Sequence, residues 1–237
     1  MTRPPRLRVN EIFHSVQGEG TRAGLRCVFI RLTGCHLRCA WCDTAYAFYE
    51  GCWLTLDQIL ERVRASACPT VAVTGGEPLL QPAVYLLLQR LADEFATVLL
   101  ETSGALSIAR VDPRVVRSVD IKCPSSGEAE RNDWDNIALL RPTDEVKFVI
   151  GTRADYEYAR DVVRRYGLPA RCPVLFSPVA LPPQATAALR TAAAAPAAGA
   201  WALAPAELAG WILGDRLDVR LNLQLHKVIW PDRSRGV

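Results

Sequence analysis

Three closely spaced cysteines are the residues best suited to chemistry in this chain. Cys35, Cys39 and Cys42 are separated by three and two residues and follow an apolar stretch that ends at Leu32. Soft thiolates presented by one short loop suit an iron–sulfur cluster or a zinc ion. Three thiolates on a four-iron cluster would leave one iron open for an outside ligand, which chemistry at the cluster requires.

A zinc site and three unrelated buried cysteines are the alternatives. A structural zinc site usually has four protein ligands in two separated pairs, and this chain has no second C-x-x-C. His36 could be a fourth ligand, although adjacent residues rarely close a metal site well. The other five cysteines are single and scattered: Cys27, Cys52, Cys68, Cys123 and Cys172.

The elements that must position this loop alternate between strands and helices. Apolar strands are predicted at 27–32, 70–74, 97–101, 115–121, 145–150, 172–176 and 218–225. Helices are predicted after Thr55 as N-cap, from Pro82, and from about Arg153 to Tyr166 with Gly167 as a left-handed C-cap. This alternation predicts an α/β fold with a mainly parallel sheet. About seven strands in a chain slightly shorter than a closed eightfold barrel of ~250 residues predict an incomplete (β/α) barrel.

Composition and charge exclude several classes of protein. Of the 237 residues, 50% are hydrophobic and 22% charged, which excludes a disordered or collagen-like chain. The net charge of +3 is too small to indicate binding to nucleic acid or to a membrane. No secretory signal or membrane-spanning run is visible. We expect one cytosolic domain over 1–237, with an alanine-rich helical insertion at about 181–205.

A second motif connects the cysteine loop to a known superfamily. The spacing C-x-x-x-C-x-x-C after the first apolar strand resembles the signature of radical S-adenosylmethionine (SAM) enzymes. The string T-G-G-E-P at 74–78 resembles their glycine-rich motif, in which two glycines let backbone carbonyls approach the amino group of the ligand. Alone, this string would predict a turn; with the cysteines it predicts a cofactor site.

Several other strings resemble those of one family, the 7-carboxy-7-deazaguanine synthases. They are E-I-F-H-S-V-Q-G-E-G at 11–20, C-D-T at 42–44, E-T-S-G at 101–104, D-I-K-C-P-S-S-G at 120–127 and L-Q-L-H-K-V-I-W at 223–230. The resemblance implies a radical SAM lyase of queuosine or deazapurine biosynthesis. It would convert 6-carboxy-5,6,7,8-tetrahydropterin to 7-carboxy-7-deazaguanine with loss of ammonia.

The resemblance also implies cofactors and partners. Cys35, Cys39 and Cys42 would hold a 4Fe–4S cluster that binds SAM, and the reaction would require Mg²⁺. The expected partners are the small pterin substrate, an electron donor such as flavodoxin or ferredoxin, and a second copy of the chain in a homodimer. No nucleic acid or membrane partner is expected.

Two side chains are expected to bind the metal ion and the substrate carboxylate. The resemblance implies that Thr44 is a magnesium ligand, since a hydroxyl oxygen suits this ion. From the residue alone, a turn or capping hydroxyl is the alternative. Arg31, on an otherwise apolar strand, is a candidate fork for the substrate carboxylate, or else the partner of a structural aspartate.

The other substrate contacts follow from the family match. Gln17 and the backbone of Val16 and Gly18 correspond to the segment that binds the amide-like edge of the pterin, where unpaired polar groups penalise a wrong substrate. Thr74 is expected to add a contact. His226 matches a histidine near the substrate, although a lone histidine on an apolar strand is more often a satisfied core residue.

The resemblance places the cofactor between four segments of the chain. Residues 120–122 differ from the S-P-K of the family, so only backbone contacts and the charge of Lys122 carry over. The expected cofactor residues are Trp41, Cys42 and Asp43 beside the adenine, Gly76 at the methionine amino group, and Asp120, Ile121, Lys122, Ser177 and Pro178.

Two other functions share parts of this pattern. A radical activase that modifies a partner protein would have the cluster and SAM without the pterin site. A zinc-binding interaction module would contain zinc but neither iron nor sulfide. In some relatives the chain terminates soon after the His-Lys pair and its carboxylate reaches the substrate. Here the chain continues past Pro231, so that role is not carried over, and the arginines of 232–237 are expected to form a solvated end.

Overall fold

A computed structural model describes residues 4–180 and 201–237, which form one nine-stranded sheet with helices. The strands are β1 Arg6–Val16, β2 Arg26–Leu32, β3 Cys52–Thr55, β4 Thr70–Gly75, β5 Thr97–Thr102, β6 Val116–Asp120, β7 Glu145–Ile150, β8 Val174–Pro178 and β9 Arg220–Leu221. The α-helices are α1 Leu56–Arg64, α2 Val84–Glu94, α3 Arg153–Tyr166, α4 Pro205–Gly214 and α5 Leu225–Ile229.

The strands lie in the order β3-β1-β2-β4-β5-β6-β7-β8-β9, so from β2 onward the order follows the chain with only β3 displaced. All pairs from β2 to β9 are parallel, whereas β1 is antiparallel to both β2 and β3. A sequential parallel order with β3 and β9 as free edges is that of a barrel left open on one side. The prediction of an incomplete, mainly parallel (β/α) barrel is confirmed.

Alternation along the strands separates the helix-packed core from the barrel interior. On β2, Val28 and Ile30 pack with residues of α1 and α2, whereas Cys27 and Phe29 belong to a small inner cluster with Leu99. Because successive side chains of a strand point to opposite faces, Arg31 lies on the same inner face as Phe29. Because every second residue of a strand faces inward, five strands place polar side chains in the barrel interior.

The helix boundaries follow local signals where those are strong. Thr55 caps α1 in a capping box with Gln58, and Gly167 ends α3 with φ +57°, both as predicted. The helix predicted from Pro82 begins two residues later, at Val84, after a 3-10 turn at Pro78–Leu80. The capping threonine and the left-handed glycine therefore marked these helix ends, whereas Pro82 did not mark the first turn of α2.

Two strands were not predicted, and one prediction was wrong. β1 carries mixed polar and apolar residues without regular alternation, and β3 is only four residues long, so neither has a strong sequence signal. The strand predicted at 218–225 is limited to Arg220–Leu221. The Asn222 N–H still donates to the Phe176 carbonyl of β8, but its side chain accepts from the Gly20 N–H and donates to Ser177, and the pairing goes no further.

The alanine-rich insertion predicted at about 181–205 lies outside the described residues for most of its length. The described part begins at Trp201, which pairs with Ala180 in an isolated antiparallel bridge, and α4 starts at Pro205. Within the described ranges, no helix has the length and apolar character needed to cross a membrane.

Candidate active site

A large cleft opens at the carboxyl ends of the parallel strands. Its empty volume is about 1250 Å³ when the open mouth is counted. The inner faces of the strands supply its polar wall, with Arg31 from β2, Thr74 from β4, Glu101 from β5, Asp120 from β6 and Lys147 from β7. The cleft therefore brings charged and polar side chains of five strands to one place.

The three cysteines lie together on a loop that rises from the end of β2 and lines this cleft. Buried Leu37 anchors the loop, Gly34 donates to the Ala47 carbonyl, and Ala40 donates to the Ser126 carbonyl. The backbone N–H of Leu37 also donates to the Cys35 sulfur at 3.4 Å. A donor aimed at sulfur stabilises a thiolate, which is the form that binds iron.

The chemistry of these thiols fits an iron–sulfur cluster. Burial raises the pKa of Cys35, and it raises that of Cys39 to about 11, so both are protonated thiols unless iron displaces the proton. Across 4–180 and 201–237, no three His, Cys, Asp or Glu side chains converge on one ion position. Three soft thiolates on one loop remain a donor set that suits an iron–sulfur cluster.

The glycine-rich string is packed tightly between β2 and the cysteine loop. A Cβ at Gly75 would overlap the Leu32 carbonyl, and one at Gly76 would lie 2.7 Å from the Cys35 Cβ and against the Gly34 carbonyl. Glu77, fully buried, accepts hydrogen bonds from Leu79, Thr102 and Ser103. The string therefore fixes the cysteine loop as well as presenting backbone to the cleft.

Arg31 is held in place by a carboxylate, although not by an aspartate. Its Nε lies 2.7 Å from Glu11 Oε1 on β1, and the Tyr46 hydroxyl donates to the same oxygen at 2.9 Å. The guanidinium carbon also lies 5.7 Å from the Phe13 ring centroid. Because the Arg31 Nε is bound to Glu11, the two terminal amino groups of the guanidinium are the donors that remain for a ligand in the cleft.

Gln17 and Thr74 meet at a carboxylate for which the sequence predicted no role. Gln17 Nε2 donates to Glu101 Oε1 at 3.2 Å, and the Thr74 hydroxyl donates to Glu101 Oε2 at 2.8 Å. Gln17 is 4% exposed and its amide oxygen accepts from the Glu19 backbone N–H. The three side chains form one fixed polar edge of the cleft.

A row of alternating charges crosses the floor of the cleft. Lys147 Nζ lies 2.8 Å from Glu19 Oε2 and 3.8 Å from Asp120 Oδ2, and Lys122 Nζ lies 2.9 Å from the same Asp120 oxygen. Burial opposes the charge of Glu19, but Lys147, His226 and Gln224 together outweigh burial and lower the Glu19 pKa from 4.5 to about 2. Asp120 Oδ1 is buried and has no partner among the described residues. That free acceptor suits a donor on a bound ligand.

His226 lies on helix α5 and not on a strand, which corrects the sequence prediction. A Cβ at Gly18 would overlap His226 Nδ1, so the glycine lets the imidazole pack against the loop after β1. Leu225 donates to the Gly18 carbonyl at 2.9 Å and fixes this contact. Burial lowers the His226 pKa, which favours the neutral imidazole. The ring lines the cleft.

Thr44 does not act as a helix cap, the alternative suggested by its sequence context. It precedes the 3-10 turn Ala45–Phe48, but its side chain makes no capping hydrogen bond. Its Oγ1 lies 3.8 Å from the Cys42 sulfur and lines the cleft. Next to it, Asp43 forms an ion pair with Lys227 at 2.9 Å, and this pair lowers the Asp43 pKa to about 2 against the effect of burial.

The cleft collects most, but not all, of the residues expected from the sequence. The expected residues that line it are Gln17, Arg31, Cys35, Cys39, Trp41, Cys42, Asp43, Thr44, Thr74, Gly76, Asp120, Lys122 and His226. Those that lie outside its lining are Val16, Gly18, Ile121, Ser177 and Pro178, and Val179 and Ala180 take the place of the last two.

Several lining residues were missed. Glu19 and Glu101 stand inside the family-like strings but had no predicted role, and Lys147 lies on a predicted strand. A polar residue at alternate positions of an apolar strand was the sequence signal that could have found Glu101 and Lys147. The segment after Pro231 is exposed from Asp232 to Gly236, as expected, but it is held in place: Arg235 lies 4.1 Å from the Tyr46 ring centroid, and the Gly236 N–H donates to Glu11.

Comparison with known proteins agrees with this geometry. Residues 29–182 match the radical SAM superfamily. The chain is 43% identical over 234 residues to the 7-carboxy-7-deazaguanine synthase of Koribacter versatilis, covering 98% of this chain and 100% of the relative. It is 44% identical to that of Chlorobaculum tepidum, covering 98% and 97%. The crystal structure of QueE from Escherichia coli superposes with TM-score 0.64 at 21% identity, covering 92% and 94%, which supports the fold.

Proposed function

The chain belongs to the 7-carboxy-7-deazaguanine synthase family of the radical SAM superfamily, and we propose that it is a carbon–nitrogen lyase of this kind. It would convert 6-carboxy-5,6,7,8-tetrahydropterin to 7-carboxy-7-deazaguanine with release of ammonia. The observation that carries this proposal is that one cleft contains both the three-cysteine loop and the fixed polar edge of Gln17, Thr74 and Glu101. A radical activase needs only the first of these.

The cysteine loop would hold the cofactors. Cys35, Cys39 and Cys42 are the proposed ligands of a 4Fe–4S cluster, which supplies the electron that makes bound SAM a source of a carbon-centred radical. Gly76 presents backbone beside this loop and Asp120 offers an unpaired acceptor oxygen. These features support their assignment to SAM, which is extended by family match to Trp41, Cys42, Asp43, Ile121, Lys122, Ser177 and Pro178.

The opposite wall would bind the pterin. Arg31 offers its terminal amino groups to the carboxylate, and the edge of Gln17, Thr74 and Glu101 offers donors and acceptors to the pyrimidine ring. Glu101 accepts one hydrogen bond at each oxygen, so each oxygen keeps a lone pair for a ring N–H. A substrate without that N–H would leave a lone pair of the half-buried Glu101 carboxylate without a donor, which is a basis for discrimination. The backbone of Val16 and Gly18 and the imidazole of His226 would complete this wall.

The proposal also includes a Mg²⁺ ion and partner proteins. The Thr44 hydroxyl makes no capping hydrogen bond and lies in the cleft, which supports its assignment as a Mg²⁺ ligand. Substrate oxygens and water would be the remaining ligands. Exposed Trp53, Val228 and Ile229 offer apolar surface for the homodimer interface. The same proposal includes an electron donor such as flavodoxin or ferredoxin. It also includes a cytosolic location, because the thiolates that hold the cluster must stay reduced.

The test is anaerobic reconstitution followed by iron and sulfide analysis and incubation with carboxytetrahydropterin, SAM, Mg²⁺ and dithionite. The proposal predicts 7-carboxy-7-deazaguanine and ammonia in equal amounts, with SAM not consumed stoichiometrically. SAM cleavage without a deazapurine product would indicate the activase instead, and zinc without sulfide would indicate the interaction module. The family to which the chain belongs favours neither the activase nor the interaction module.

A further inference from the structure

Glu11 lies opposite Arg31 because strand β1 contains a β-bulge. Leu7 and Val9 pack into the core beneath the helices, so regular alternation would turn Glu11 to that face as well. The register with β2 shifts between Val9 and Glu11, and beyond the shift Ile12 packs against the same core. Glu11 therefore faces inward as the direct cross-strand partner of Arg31, and re-aiming one side chain in this way is a common use of a bulge beside a functional site.

Both oxygens of the Glu11 carboxylate are bound by neighbouring groups. Oε1 accepts from Arg31 Nε at 2.7 Å and from the Tyr46 hydroxyl at 2.9 Å, and Oε2 accepts from the Gly236 backbone N–H at 3.2 Å. The side chains of Arg31 and Glu11 are only 12% and 18% exposed. Turning the carboxylate away from Arg31 would thus break three hydrogen bonds in a partly buried place, so the guanidinium is held in one orientation.

The Tyr46 ring, whose hydroxyl binds Glu11, contacts two arginines. The guanidinium carbon of Arg31 lies 5.9 Å from the ring centroid, and that of Arg235 lies 4.1 Å from it. Arg235 is exposed and is held in turn by Glu50 at 2.8 Å. Because a cation is attracted to the face of an aromatic ring, Arg235 stabilises the position of the ring from the solvent side.

These neighbours hold Arg31 from outside the cleft. Arg31 is among the described residues that line the cleft, whereas Glu11, Tyr46 and Arg235 are not. A ligand in the cleft therefore meets the terminal amino groups of Arg31 and not the groups that hold them. An arginine side chain has much rotamer freedom to lose when it binds a carboxylate. One that is already fixed loses less, which lowers the free-energy cost of binding.

We propose that Glu11, Tyr46 and Arg235 are positioning residues that make the cleft selective for a pterin that carries a carboxylate. They act on the ligand through Arg31 and do not touch it. The inference rests on the proposed function, in which Arg31 binds the substrate carboxylate, and it adds the physical cause of the preference for a carboxylated ligand. When the guanidinium is not fixed, carboxylated and uncarboxylated pterins bind with affinities closer to each other.

The test measures how strongly three variants bind two ligands that differ only in the carboxylate. The ligands are pterin-6-carboxylate and pterin, and equilibrium dialysis against the reconstituted protein with SAM and Mg²⁺ gives a Kd for each. We expect Glu11→Gln to raise the Kd for pterin-6-carboxylate by roughly tenfold, and Tyr46→Phe and Arg235→Ala to raise it by roughly two- to fivefold. The Kd for pterin should stay the same in all three variants.

Two residues away from Glu11 give matched controls. Tyr85→Phe removes the hydroxyl from a ring on α2 that also contacts an arginine, since the Arg110 guanidinium carbon lies 4.3 Å from its centroid. Arg233→Ala removes an exposed guanidinium from the same segment as Arg235. Both controls should keep the two Kd values of the unsubstituted protein.

A double-mutant cycle separates positioning from general damage to the fold. In the Arg31→Ala background, Tyr46→Phe and Glu11→Gln should have no further effect on either Kd, because the guanidinium that they position is absent. A merely structural role would weaken the binding of both ligands and would persist without Arg31. If Glu11→Gln fails to fold, Tyr46→Phe and Arg235→Ala still decide, since one keeps the ring and the other changes an exposed side chain.

Unchanged binding of pterin-6-carboxylate in either Tyr46→Phe or Arg235→Ala would overturn the proposal, as would an equal loss of pterin binding. Tighter binding of pterin-6-carboxylate by Glu11→Gln would also overturn it, because a carboxylate that acted only through its charge would weaken the attraction of Arg31 for a second carboxylate. Failure of the proposed function looks different: the unsubstituted protein would prefer pterin-6-carboxylate to pterin and yet form no deazapurine with dithionite.

Discussion

Gly76 lies directly against Cys35, so that a Cβ at position 76 would come within 2.7 Å of the Cys35 Cβ. The glycine-rich string and the first cysteine are far apart in the chain, but they form one packed unit in the fold. The absence of a side chain at this glycine is thus a condition for the position of the first thiol. Several consequences of this geometry can be measured.

Gly76→Ala should displace the cysteine loop. Overpacking at a backbone contact costs on the order of 1–3 kcal/mol, and the displaced thiols should retain less iron and sulfide after anaerobic reconstitution. Gly210→Ala is the matched control, because a Cβ added at this position inside α4 would meet no atom within 4 Å. It should keep the full cluster content. A complete cluster in Gly76→Ala would contradict the packing argument.

Thr44→Ala should change the magnesium dependence of product formation. Without the hydroxyl, a higher Mg²⁺ concentration should be needed for half-maximal rate, whereas Thr44→Ser, which keeps the oxygen, should behave like the unsubstituted protein. SAM cleavage in the absence of substrate should be the same in all three proteins. Full activity of Thr44→Ala with unchanged magnesium dependence would show that this ligand assignment is wrong.

Glu101→Gln should weaken substrate binding. The carboxylate accepts from Gln17 and Thr74, and an amide would place an N–H donor where an acceptor is needed. Losing a hydrogen bond to a charged group costs about 1.5–3 kcal/mol, or roughly 10- to 100-fold in kcat/KM. Steady-state kinetics with the pterin measure this, with Glu94→Gln as a surface control. Equal kinetics in both variants would remove Glu101 from the substrate site.

The Glu19–Lys147 pair should make stability depend on pH. The Glu19 pKa falls from 4.5 to about 2 in the folded protein, so its stabilising contribution is fully present above about pH 4.5 and is lost as pH falls towards 2. Glu19→Gln should therefore lower the free energy of unfolding by up to about 3 kcal/mol near neutral pH, and the difference from the unsubstituted protein should shrink in acid.

Denaturant unfolding of the cluster-free protein at several pH values measures this difference. Asp57→Asn is the control, since Asp57 is 80% exposed in its pair with Arg90 and exposed pairs contribute about 0–1 kcal/mol. A difference for Glu19→Gln that stays constant from neutral pH to acid would show that the pair does not depress the Glu19 pKa.

The parts of the molecule that sequence predicted are those specified by neighbouring residues. The three cysteines share one loop, the string T-G-G-E-P is continuous, and Thr55 and Gly167 cap their own helices. The order of strands and helices also follows from local propensity, because each βα unit carries its own hydrophobic pattern. The incomplete barrel and the cluster loop could therefore be predicted without coordinates.

The tertiary structure decided which polar side chains meet. Gln17 binds Glu101 across 84 residues of sequence and Lys147 binds Glu19 across 128, and nothing local to these residues specifies the pairing. The helical position of His226 likewise depends on Asn222 and Leu225 binding to distant loops. Local motifs, through the family that they resemble, were enough to predict the cofactor chemistry. The proposed substrate wall exists only because folding turns the inner faces of separate strands towards one cavity, where buried charges such as those of Lys147 and Glu19 pair with each other.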